Sequence, residues 1–207
     1  MTTPTPDDIL RFWFPERPET DHAAMARRME WWFHGGADAQ IMERFASLPE
    51  FAARGGLNAW ATNAPSRLAL ILVLDQFSRT VYRGTARAYA QDPMARALSM
   101  VGIEIGHYAA LEDHWQKTFF FLPLGHSENL RHLNLAVSLA EELARESSEG
   151  QRRMLEHSAS QAHGHRNVVA RFGRQPHRNE VLGRTSTPEE LAYLARGELV
   201  HLREVPR

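Results

Sequence analysis

Residues 66–82 read SRLALILVLDQFSRTVY, and the run from Leu68 to Leu74 within them is apolar on every face. Such a run is either a buried strand or a central buried helix, and periodicity alone does not separate the two. Length and composition decide for helix. The apolar pattern continues through Phe77 to Val81, longer than an ordinary strand, and Leu and Ala dominate the run. Pro65 stands at the first turn, where its missing N–H is not needed. The other helices are expected to pack around this one.

Toward the N-terminus, Thr5, Pro6 and Asp7 signal the start of a short helix, Asp7 to Phe14, with Phe12, Trp13 and Phe14 as an aromatic anchor. Pro15 and Pro18 interrupt the chain, and Asp21 caps a second helix carrying Met25, Met29, Trp32 and Phe33 on one stripe. Gly35 and Gly36 end it. A third helix, about Ala37 to Leu48, is expected to stop at Pro49, with a looser segment containing Phe51, Leu57 and Trp60 after it.

Toward the C-terminus, Gly84 breaks the chain, and Asp92 with Pro93 is read as the N-cap and first residue of a helix to about Ala110. Gly102 and Gly106 permit close approach there. The aromatic block WQKTFFFLPL, Trp115 to Leu124, is stopped by Pro123, and Ser127 caps a long amphipathic helix, Asn129 to Ser147, with Glu128 in its first turn. A further helix after Gly150 ends at Phe172, because Gly173 suits a left-handed cap and Pro176 cannot continue it. Thr187, Pro188, Glu189 and Glu190 start the last helix and Gly197 ends it. About eight or nine helices without a strand signal place residues 1–207 in the all-α class as a single domain of antiparallel helix pairs, stacked in an array or bundle.

The 43% apolar and 24% charged composition is that of an ordinary soluble protein, and a net charge of −1 offers no global field for nucleic acid or an acidic membrane. The absence of cysteine excludes disulfides, thiol catalysis and Cys-ligated zinc. The N-terminus has no basic segment followed by an apolar run, and the longest apolar run is far short of the roughly 18 residues needed to cross a membrane. The expectation is a cytoplasmic protein with neither nucleic acid nor membrane as partner. Every basic residue but Lys117 is arginine. Arginine forms planar two-pronged contacts with carboxylates and phosphates, although codon bias in a GC-rich genome produces the same imbalance.

Three segments carry unusual polar chemistry. Asp75 and Arg79 stand at i, i+4 beside the apolar run, with Gln76 between them, and either stitch helices together or floor a polar pocket. His126, Ser127 and Glu128 combine a base, a hydroxyl and a carboxylate at an expected helix start; as neighbours they form no triad, and no GxSxG elbow surrounds Ser127. The loop RFGRQPHRNEVLGR, residues 171–184, holds four arginines, one of them between His177 and Asn179. These side chains either satisfy helix-end carbonyls and pair with Asp75 or Glu128, or Arg174, His177, Arg178 and Asn179 converge on a phosphate or carboxylate. His157, His163 and His165 share one predicted helix without HExxH spacing, so no metal is called for, and no glycine loop asks for a nucleotide cofactor.

LDQFSRTVYRGTARAYAQDPMARAL, FFFLPLGHSE, RFGRQPHRNEVLGR and STPEELAYL follow one another in this order. With them the chain, from Phe12 to about Leu194, resembles a largely bacterial family known as domain of unknown function nine-two-four. The resemblance implies an all-α fold similar to tetratricopeptide-like helical superhelices and brings no established activity. The arginines, His126, Ser127, Glu128, His177 and Asn179 match the family pattern. The pattern has Pro and Asn where this chain has Ser78 and Thr80, Tyr where it has Phe121, and an aromatic where it has Gln175. At Phe121 the change removes a hydroxyl that a pocket could use.

The sequence thus points to a helical domain that binds a small anion in a pocket lined by Asp75, Gln76, Arg79, His126, Ser127, Glu128, Arg174, His177, Arg178 and Asn179. Two alternatives use the same residues differently. In one, the pocket belongs to a hydrolase with His126 or His177 as general base. In the other, the helical array is an interaction module whose groove takes a peptide or a second copy of the chain as a homodimer.

Overall fold

In the computed structural model residues 4–14, 22–197 and 199–200 are described. The expected interruption at Pro15 and Pro18 and the expected cap at Asp21 lie outside them. Among the described residues there is no strand, and the α-helices are α1 (Pro6–Trp13), α2 (His22–Phe33), α3 (Asp38–Arg44), α4 (Leu48–Ala53), α5 (Ala64–Leu72), α6 (Ser78–Val81), α7 (Asp92–Glu104), α8 (His114–Gly125), α9 (Leu130–Glu146), α10 (Glu149–Phe172) and α11 (Pro188–Ala195). A π-helical turn, Val73–Phe77, joins α5 to α6 without a break, making one continuous helix.

That helix is central, as its all-round apolarity requires. Leu68 to Leu74 are at most 2% exposed, and α1, α7 and α8 pack against α5. An aromatic layer closes one side: Trp13 meets Phe119 edge-on at 5.4 Å, and Phe45 stacks on Phe77 at 5.4 Å. The indole N–H of Trp32 donates to the Trp13 carbonyl at 2.9 Å, so the layer is tied as well as packed. The expectation that every helix packs on the central one needs correction. α10 packs most extensively on α9, across the short connection at Ser147 and Ser148, and a second apolar cluster forms there from Phe121, Leu124, Ala136, Ala140 and Leu143. Phe121 is 3% exposed in this cluster, so the absent hydroxyl is absent from core. Met154 and Leu155 of α10 reach the central core, and α10 also touches α2. Contacts between segments so far apart in sequence belong to a bundle more than to a strictly sequential stack.

Several boundaries differ from the sequence expectation for local reasons. Pro49 opens α4 instead of closing α3, occupying a first-turn position that lacks a bonding duty. Pro123 lies inside α8, which continues to Gly125 and so tolerates one missing bond near its end. α7 stops at Glu104 because Gly106 takes a left-handed φ of 84°. Gly102, by contrast, does permit close approach: a Cβ there would lie 2.4 Å from Phe120 Cζ and 2.7 Å from Arg67 Cδ. Arg67 is 5% exposed and donates to His107 Nδ1 at 3.0 Å, the Leu98 carbonyl at 3.2 Å and the Ala61 carbonyl at 2.6 Å. Both start signals turn out to be capping boxes, Thr5 with Asp8 and Thr187 with Glu190, and Gly173 takes the expected left-handed cap of α10.

Candidate functional site

The π turn carries Asp75 into the protein interior. It is 1% exposed, and its Oδ1 lies 2.7 Å from Nδ1 of His126, the residue that ends α8. Gln76 donates to Oδ2 at 2.6 Å, and Arg79 Nη2 stands 3.5 Å from Oδ1. Burial alone would raise the Asp75 carboxyl; the close contact with His126, the Arg79 charge and the Gln76 bond outweigh it and hold it below the usual carboxylate range. An ionised carboxylate only accepts, so the hydrogen resides on Nδ1 of His126 and leaves Nε2 as the free face of a ring whose side chain is 18% exposed. Among the described residues no hydrogen bond engages Nε2.

Asp92 extends the cluster. It was read as a helix cap, but α7 begins at Asp92 itself, Gln91 precedes it, and the carboxylate turns to two arginines instead. Arg79 Nη1 lies 2.9 Å from Oδ1 and Arg178 Nη1 3.3 Å from Oδ2, and both guanidinium carbons sit 4.7 Å from the centre of the Tyr89 ring. Arg178 Nη1 also donates to the His126 carbonyl at 3.0 Å. Burial and the neighbouring Arg79 charge lower the affinity of Arg178 for its proton, whereas the Asp75 and Asp92 charges outweigh burial at Arg79 and raise it. Arg79 Nη2 and Arg178 Nε are buried with no hydrogen-bond partner.

The arginine loop reaches this cluster because other pairs hold it in place. Arg184 grips Glu128, whose Oε1 also accepts from the backbone N–H of Gln175 at 2.7 Å. Arg174 pairs with both oxygens of Glu190 at 2.6 and 2.8 Å. Asn179, 1% exposed, donates to Ser186 at 2.9 Å and accepts from Arg184 at 3.0 Å. Ser127 is not the cap of α9; Asn129 is, and the Ser127 hydroxyl accepts from the Asn129 N–H and meets His132 Nδ1 at 3.0 Å. Asp75, Gln76, Arg79, His126 and Arg178 therefore share one cluster, Glu128, Arg174 and Asn179 form the brace around it, and His177 is half-buried in the 3-10 turn Pro176–Arg178. Tyr89, Asp92 and Arg184 escaped sequence reasoning as site residues, although Tyr89 and Asp92 lie inside the LDQFSRTVYRGTARAYAQDPMARAL stretch.

The three histidines of α10 belong elsewhere. His163 Nε2 lies 2.8 Å from Glu141 of α9, and His157 bonds Gln161 at 3.2 Å. His163 borders a shallow groove of about 640 Å³ whose lining also includes Glu141, Arg145, Arg152 and Glu156. Among the described residues no three His, Asp or Glu side chains gather as metal ligands would.

The family model described as "Bacterial protein of unknown function", domain of unknown function nine-two-four, matches residues 9–198. The chain belongs to this family. It is also similar to a solved structure of a protein of unknown function from Agrobacterium tumefaciens, at 37% identity and a TM-score of 0.70, over 93% of this chain and 97% of that one. No curated protein matches it. Family membership agrees with the all-α fold and leaves the chemistry of the cluster to be argued from its residues.

Proposed function

We propose that this chain is a helical domain that binds a small oxyanion at the cluster of Arg79, His126 and Arg178. The observation that supports this reading is the pair of buried guanidinium groups, each with one nitrogen that makes no hydrogen bond, Arg79 Nη2 and Arg178 Nε, beside the free face of an oriented histidine. A buried donor left unpaired costs about 1–3 kcal/mol, and an oxyanion that accepts from these nitrogens relieves it. In this reading Asp75 and Asp92 hold the cationic side chains in place. Glu128, Arg174, Asn179 and Arg184 deliver Arg178 to the cluster, and Gln76 buttresses Asp75.

Thermal melts against inorganic phosphate, sulfate and small carboxylates test it. A ligand at 100 times its Kd stabilises by about 2.7 kcal/mol, and a chain of this length gains roughly 2–4 °C per kcal/mol, so a true ligand raises Tm by about 5–11 °C. Arg178→Ala is expected to abolish that shift. No shift with any anion, together with an Arg178→Ala protein that melts far lower, would leave the arginines a purely structural role.

A further inference from the structure

We propose that the cluster hydrolyses phosphomonoesters, with His126 as the catalytic base and Asp75 as its positioning residue. This rests on the oxyanion reading above. The pair joins the π turn to the end of α8 across 51 residues, and π turns within α-helices are frequent at functional sites. Asp75 is held from two sides, by Gln76 and Arg79, and is 1% exposed, so it fixes both the tautomer and the orientation of the ring. The ring itself is open enough to meet a substrate, at 18% side-chain exposure. A buried acid that orients a partly open imidazole is the arrangement that general-base catalysis uses.

The substrate class follows from how close the anion-binding groups are to the base. One oxygen, Asp75 Oδ1, lies 2.7 Å from His126 Nδ1 and 3.5 Å from Arg79 Nη2, and Arg178 bonds the carbonyl of His126 itself. Both arginines are thus fastened to the residue that carries the base, Arg79 through Asp75 and Arg178 through the His126 carbonyl, and an anion held by them is kept beside His126. A free carboxylate has no electrophilic centre to offer at neutral pH. A phosphoryl ester is both anion and electrophile, and Arg79 and Arg178 are suited to the charge on its equatorial oxygens.

In the step, water attacks phosphorus while Nε2 of His126 takes one of its protons. An O–P bond forms on one side, the bond from phosphorus to the ester oxygen breaks on the opposite side, the departing oxygen takes a proton from solvent, and the imidazolium gives its proton back to solvent. The products are an alcohol and inorganic phosphate, with no change of oxidation state.

The test measures phosphate release from phosphoserine, glycerol phosphate and p-nitrophenyl phosphate alongside phosphate-induced thermal shifts. His126→Ala is expected to lower kcat by about 10²- to 10⁴-fold, to weaken the phosphate shift without abolishing it as Arg178→Ala does, and to regain turnover when imidazole is added. Asp75→Asn, whose amide favours the wrong tautomer, is expected to lower kcat with little change in KM. His163→Ala, on the groove between α9 and α10, is expected to leave turnover unchanged. If Asp75→Asn fails to fold, His126→Ala with imidazole rescue decides alone. A wild-type protein that binds phosphate but cleaves none of these esters overturns the catalytic role and leaves the anion site standing. A protein that neither binds phosphate nor cleaves the esters overturns both readings.

Discussion

Arg184 and Glu128, 56 residues apart in the chain, meet through three contacts of 2.8–3.0 Å, a forked guanidinium against a carboxylate. The pair fastens the arginine loop to the turn between α8 and α9, and so sets where Arg178 can reach.

Arg184→Ala is expected to destabilise the fold by about 2 kcal/mol, a Tm loss of about 4–8 °C, because it strands a half-buried carboxylate that also serves the Gln175 N–H. Arg83→Ala removes an equally close ion pair with Asp38, but the Arg83 side chain is 63% exposed. Its effect is expected to be within about 0.5 kcal/mol. Paired thermal melts compare the two; equal losses would show that the loop does not depend on the Glu128 brace.

Gly102→Ala places a methyl group 2.4 Å from the Phe120 ring, at the crossing of α7 and α8. The ring is fully buried and has no room to retreat. Overpacking of this kind is expected to cost about 1–3 kcal/mol, outweighing the helix propensity that alanine brings. A urea midpoint equal to or above that of the wild type would contradict the close packing described for this crossing.

Acid should weaken the fold through Glu190 and Asp75. The Arg174 guanidinium and the Thr187 N–H outweigh desolvation and hold the Glu190 carboxyl at about 2, and Asp75 is depressed as well. A depressed carboxyl contributes stability that is complete above its unfolded value, about 4.3 for glutamate, and that fades as pH falls through the folded value. Urea midpoints are therefore expected to drop from pH 5 toward pH 2. Glu190→Gln should be less stable at pH 7 and show a shallower drop; an unchanged slope would remove Glu190 from the acid response.

A second, milder pH response should come from His107. Its Nδ1 accepts from Arg67, so the ring must be neutral there, and burial and the Arg67 charge push it below the ordinary histidine value. The contribution is complete above the unfolded value, about 6.5, and is lost as pH falls through the folded one. The Tm is expected to decline between pH 7.5 and 5.5, and His107→Gln, which keeps an acceptor without titrating, should flatten that decline.

How much could be read beforehand differs between fold and cluster. The helices were legible because their evidence is local: Leu68 to Leu74 is apolar all round, Thr187 and Glu190 form a capping box, and Gly173 sits where only a left-handed residue closes a helix. The polar segments could be singled out for the same reason, as charges set beside apolar helices. Their partners could not, because pairing across 47 to 86 residues follows from how helices dock and leaves no periodic trace in sequence. Asp92 shows the difference most plainly. Next to Pro93 it carries every local mark of a helix cap, and only the docking of α6 and the arginine loop beside it turns its carboxylate to Arg79 and Arg178. The sequence by itself determined an all-α chain and which polar residues were out of the ordinary. The tertiary structure decided which of them meet, because a buried charge takes whatever partner the packing of apolar faces brings within reach.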